Sequence, residues 1–124
     1  MNEKNSERRK APRHSVHIEG RIITPEASTP IAVKEISVEG LRIESARTMG
    51  SGTNVAISLQ LEEEVLLYGT VIWALDSGQK SHRAYQIGIE TYAIVIPEIK
   101  AIAFPEKAEL VDNILQRIPK KGTT

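Results

Sequence analysis

The chain has 124 residues with 16 basic and 16 acidic side chains, 40% hydrophobic and only 4% aromatic residues, and no cysteine. That length supports one compact domain. The absence of cysteine excludes disulfides, thiolate metal sites and a cysteine nucleophile, and the balanced charge argues against a uniformly basic nucleic-acid binder.

In chain order, residues 1–13 read as a flexible basic arm. Lys4, Arg8, Arg9, Lys10 and Arg13 outweigh Glu3 and Glu7 there, whereas residues 14–116 are acidic on balance. From Val16 the apolar residues recur with period two through Ile18, Gly20 and Ile22, which predicts a strand to Ile23. Thr24 to Pro30, with a proline at each end, predicts a loop. Ile31–Ile36 predicts a second strand and Ser37-Val38-Glu39-Gly40 a turn or bulge. Strands are also expected over Leu41–Glu44, Asn54–Leu61, Val65–Leu75 and Arg83–Thr91. Gly50-Ser51-Gly52, Glu62-Glu63-Glu64 and Asp76–Lys80 supply the turns between them. Pro105 opens a predicted helix whose stripe is Leu110, Ile114, Leu115 and Ile118, and Pro119 stops it. Residues 98–104 are read as a shorter helix. Short strands at regular spacing predict a mainly β domain over residues 14–118, a small six-stranded antiparallel barrel with a C-terminal helix, followed by a tail at 119–124. No apolar run approaches the length of about 20 residues that a membrane-spanning helix needs. The polar N-terminus is not read as a signal peptide, so a cytoplasmic location is expected.

Two segments carry potential chemistry. The first is Arg8-Arg9-Lys10-Ala11-Pro12-Arg13, which holds three of the chain's eight arginines. Arginine presents a planar fork that pairs bidentately with phosphate and stacks on flat rings. Pro12 stiffens its neighbourhood. The second is Glu35-Ile36-Ser37-Val38-Glu39-Gly40. A carboxylate two places before a hydroxyl on a strand projects to the same face. If the first two strands form a hairpin, residues i and roughly 54 − i lie opposite one another. That register brings residues 13 and 14 to the region of 40 and 41.

These residues resemble the PilZ domain, the bacterial receptor module for cyclic di-GMP. Arg9 and Arg13 match the family's Arg-x-x-x-Arg motif. Ser37 and Gly40 match its Asp/Asn-x-Ser-x-x-Gly motif, with Glu35 where the family carries Asp or Asn. Gly69-Thr70-Val71-Ile72-Trp73 and Tyr85-Gln86-Ile87-Gly88-Ile89 resemble its later strands, so the likeness runs from Glu7 to about Tyr92. It implies that Arg8, Arg9, Arg13, Glu35, Ser37 and Gly40 bind cyclic di-GMP, with Arg8 going with a stacked pair of ligand molecules. It also implies that the arm orders on the ligand and that a downstream protein partner reads the change. The extra methylene of Glu35 carries its acceptor about 1.5 Å further out than an aspartate would. A second reading therefore stands, a PilZ-like domain that has lost its ligand and acts as a constitutive protein-interaction module.

Blander roles stand beside these. The arm can be a solvated tail, Ser37 can serve only its own turn, and Trp73 reads as core or barrel rim before ligand contact. His14 and His17, three apart on an extended segment, point to opposite faces and do not share a metal ion. No catalytic triad, phosphate loop or paired-carboxylate cleft is visible, so neither an enzyme nor a cofactor beyond the ligand is expected. Scarce aromatics and the acidic body argue against DNA or RNA as a partner. A monomer or weak dimer without membrane insertion is expected.

Overall fold

A computed structural model describes residues 12–78 and 85–119. The expected arm, with Arg8 and Arg9, lies outside the described residues, as does His82. Arg13, counted with that arm in the sequence reading, is the first residue of strand β1, Arg13–Ile23.

The remaining strands are β2 Ser28–Ser37, β3 Gly40–Ser45, β4 Asn54–Gln60, β5 Glu64–Asp76, β6 Tyr85–Ile96 and β7 Ala101–Ala103, and helix α1 spans Lys107–Gln116. All pairings are antiparallel in the order β3-β2-β1-β4-β5-β6-β7. Pairing of β3 with β6, with Leu41 opposite Ile89 and Ile43 opposite Ile87, closes six strands into a barrel. Closure removes the open edges that a small sheet would otherwise present. β7 hangs on β6 outside the closed ring.

Two sequence expectations are corrected. Residues 98–104 do not form a helix. After a turn through Lys100, which has φ 54, the chain reverses and Ala101–Ala103 pairs with β6. A short apolar run has no decisive periodicity, and the free far end of β6 offered a strand partner. The β1–β2 loop is also shorter than expected, because Ser28, Thr29 and Pro30 already belong to β2. Pro30 pairs with Arg21 at a level where β2 has not yet met β3, so its missing N–H leaves no bond to β3 unmade.

Alternation decides the interior. Ile18, Ile22, Ile31, Val33, Ile43, Ile57, Leu59, Leu67, Ile87 and Ile94 are all buried. Leu110, Val111 and Ile114 of α1 join the same core, with Leu115 and Ile118 partly buried against it. The helix packs on β2 and β6. Glu109 accepts a hydrogen bond from the Glu106 N–H at 3.3 Å, half of a capping box that starts the helix one residue after Pro105 and its neighbour Glu106. Two ion pairs pin it to the barrel. Lys107 Nζ lies 2.7 Å from Glu90, and Arg117 donates to both carboxylate oxygens of Glu98 at 3.0 Å. The hydrogen bond from Lys107 holds the Glu90 carboxyl below its usual range, and that from Arg117 does the same for Glu98. Among the described residues no buried side-chain polar atom lacks a hydrogen-bond partner, and no helix is long and apolar enough to cross a membrane.

Candidate functional site

The two sequence motifs meet at one end of the barrel. Arg13 at the start of β1 lies directly opposite Ser37 at the end of β2. This register is three residues tighter than expected near the turn and four tighter beyond the bulge between Ser15 and Ile18. The bulge comes where β1 leaves the core, and it re-aims the segment that carries Arg13.

The second motif is a two-residue hairpin. Ser37 pairs with Gly40 across Val38 and Glu39, and the Ser37 hydroxyl accepts the Glu39 N–H at 3.0 Å. Ser37 thus does serve its own turn, while its hydroxyl proton remains available as a donor. Gly40 has φ +130, and a Cβ there would overlap the Ile89 carbonyl oxygen. Only glycine satisfies both demands. The tight turn is what lets β3 lie against β6 and close the barrel.

A row of paired residues crosses the same end. Glu35 on β2 faces Arg42 on β3, Arg42 faces Gly88 on β6, and Gly88 faces Trp73 on β5. Gly88 has no side chain because the Trp73 indole occupies that space, and a Cβ would run into the ring. Trp73 is 38% exposed and stands on the rim rather than in the core. Arg13, Glu35, Ser37 and Gly40 line a cleft of about 250 Å³ together with Arg42, Trp73 and Gly88. Ile72 and Ile89 add apolar wall, and Glu39 adds a second carboxylate.

The charges of the cleft are already paired with one another. Arg42 Nε donates to Glu35 Oε1 at 3.0 Å, and Arg13 Nε lies 3.7 Å from the other oxygen of the same carboxylate. Arg13 also reaches Glu39 Oε1 at 3.4 Å. The Arg13 side chain is 64% exposed and that of Glu35 only 21%. The pairs that the largely exposed Arg13 makes contribute about 0–1 kcal/mol. A charge-assisted hydrogen bond to a bound anion is worth about 1.5–3 kcal/mol, so an incoming phosphate can recruit Arg13 away from its internal carboxylates.

The chemistry on offer is therefore two guanidinium groups, a hydroxyl, carboxylate acceptors and a flat indole around one groove. This suits an anion that also carries a planar ring with N–H donors. Arg42, Trp73 and Gly88 were not singled out as site residues by sequence reasoning. Arg42 had one signal, a charged residue alternating with buried Leu41 and Ile43. His17 lies elsewhere, bonded to Glu19 at 2.8 Å and Lys34 at 2.9 Å, and no cluster of metal-ligating residues occurs among the described residues.

Comparison with known families agrees with this geometry. The PilZ domain family matches residues 7–103. That span is most of the chain, and it takes in both motifs and all seven strands. The protein belongs to the PilZ domain family, a family of binding modules known for recognising cyclic di-GMP. No curated protein matches the chain.

Proposed function

We propose that this protein is a bacterial cytoplasmic receptor for cyclic di-GMP that relays the second messenger to a protein partner. The observation that supports this best is the direct pairing of Arg13 with Ser37 at the mouth of a cleft that also holds Glu35, Gly40 and Arg42. Arg9 and Arg13 neutralise the phosphates and hydrogen-bond guanine O6 and N7. Glu35 accepts guanine N–H donors, Ser37 donates its free hydroxyl proton, and Gly40 lets the ligand approach the backbone. Arg8 favours a stacked ligand pair. The conformational change is closure of the Arg8–Arg13 segment over the bound anion, driven by charge pairing. The role is recognition, with no catalytic step.

Calorimetric titration with cyclic di-GMP tests this reading, with GTP as the control nucleotide. Saturable binding to the wild type, lost in Arg9→Ala and Arg13→Ala, supports it. Absence of binding at 100-fold excess ligand, or normal binding by a variant carrying both Arg9→Ala and Arg13→Ala, overturns it.

A second reading rests on one contact. Glu35 is bonded to Arg42 at 3.0 Å and lies beside Arg13, so the acceptor that guanine would use is already engaged. This favours a PilZ domain that no longer takes the nucleotide and serves as a constitutive interaction module. A wild-type protein that stays silent in the titration, with binding either gained in Glu35→Asp or absent in every variant, supports it.

A further inference from the structure

The pairing of Glu35 with Arg42 decides which atoms of a planar base the cleft can read. From Ile31 opposite Ser45 to Val33 opposite Ile43, β2 and β3 keep one register. Continued, it would set Lys34 opposite Arg42 and bring two cations together. A bulge between Val33 and Glu35 shifts the pairing by one residue, and Glu35 stands opposite Arg42 instead. Paired residues of neighbouring strands share a face, so carboxylate and guanidinium meet along the cleft that both line. On its other side Arg42 faces Gly88, whose side-chain space the Trp73 indole fills, so the ring bounds the guanidinium there.

The pair is joined at a single point. Arg42 Nε donates to Glu35 Oε1 at 3.0 Å. Among the described residues, the Arg42 Nη1 and Nη2 groups donate to no partner. Glu35 Oε2 has the Arg13 Nε at 3.7 Å, too far for a hydrogen bond. The pair therefore offers one free acceptor oxygen beside free N–H donors. A carboxylate with both oxygens free behaves differently, since it takes two adjacent N–H donors. On guanine those two are N1–H and the exocyclic N2 amine. An acceptor beside a donor instead matches N1–H and O6 of the same base.

Resting on the reading of this cleft as a cyclic di-GMP site, we infer that Arg42 is a specificity-determining residue. Glu35 Oε2 accepts guanine N1–H, an Arg42 Nη donates to O6, and the N2 amine of that base goes unread. The O6 and N7 atoms assigned to the arginines of the first motif do not involve the amine either. The ligand class is thus cyclic purine dinucleotides that carry a 6-oxo group and N1–H, with hypoxanthine accepted as well as guanine.

Calorimetric titration with cyclic di-GMP and cyclic di-IMP tests this, because hypoxanthine differs from guanine only in lacking the N2 amine. The wild type should bind the two within about 2-fold of each other. Glu35→Asp shortens the side chain away from Arg42, and Arg42→Leu removes the donor; both free a second carboxylate oxygen for the amine. Each variant should then prefer cyclic di-GMP by about 3- to 10-fold, the equivalent of one neutral hydrogen bond. An Arg42 that merely supported the fold would weaken both ligands alike and leave their ratio unchanged, and that result overturns the inference. Trp73 fluorescence checks that both variants are folded. A wild type that binds cyclic di-GMP but takes cyclic di-IMP more than about 3-fold less tightly overturns the inference and leaves the receptor reading standing. A wild type that binds neither ligand overturns both.

Discussion

The barrel interior and the rim of its cleft are made from the same strands, in places from adjacent residues. Leu41 and Ile43 are buried in the core, while Arg42 between them lines the cleft and bonds Glu35. Inside, each side chain is surrounded by others and its loss leaves a hole. On the rim, side chains hold one another through pairs that water screens. Stability and the proposed recognition thus sit on opposite faces of one sheet, and substitutions one residue apart should separate them.

The sharpest form of that comparison is Ile43→Ala against Arg42→Ala. Ile43 is fully buried, and truncating it should cost about 2–5 kcal/mol of unfolding free energy. Arg42→Ala should cost less than about 1 kcal/mol. Urea denaturation of the two variants measures both, and equal costs would erase the distinction.

Gly40 is where the division should break. It lines the cleft, yet its φ of +130 and its approach to Ile89 tie it to barrel closure. Gly40→Ala should lose about 1–3 kcal/mol from backbone strain alone and more from the overlap. Unlike Arg42→Ala, it should reduce stability and cyclic di-GMP affinity together.

Arg13→Ala restores the contrast. Stability should change by less than about 0.5 kcal/mol, because the side chain is largely exposed. Ligand affinity in calorimetry should fall at least about 10-fold, the equivalent of one charge-assisted contact.

Glu35 tests how well the rim fits its ligand. Glu35→Asp should tighten binding about 3- to 10-fold, or roughly 0.7–1.4 kcal/mol, chiefly through slower dissociation. Glu35→Ala should weaken it. An aspartate variant that binds less tightly than the wild type would mean that the Arg42-held glutamate is already well placed.

The smallest effect lies at the helix. Arg117 holds the folded-state Glu98 carboxyl below its unfolded value, so this pair stabilises the fold above the ordinary carboxylate range. That contribution is lost as pH falls through the lowered value. In Arg117→Gln, the Glu98 carbon resonance should titrate at a higher pH than in the wild type, with little change in stability at neutral pH.

Much of this was legible in the sequence because it rests on local rules. Period-two runs of Ile, Leu and Val specify strands and their inward faces, since alternate side chains must leave water together. The Pro105 and Pro119 boundaries and the Leu110–Ile114 spacing specify the helix. The spacing of Arg9, Arg13, Ser37 and Gly40 pointed to the family. Other features needed the closed barrel. Residues 98–104 became a turn and strand because β6 ran on far enough to offer them a partner. Arg13 met Ser37 rather than residue 41 because the loop shortened and β1 bulged. Arg42, Gly88 and Trp73 entered the cleft only when β3 closed on β6 and stacked residues 35, 42, 88 and 73 into one row. Such pairings join residues tens of positions apart. They depend on which strands close the barrel and on the fit of an indole over a glycine, which no local pattern encodes.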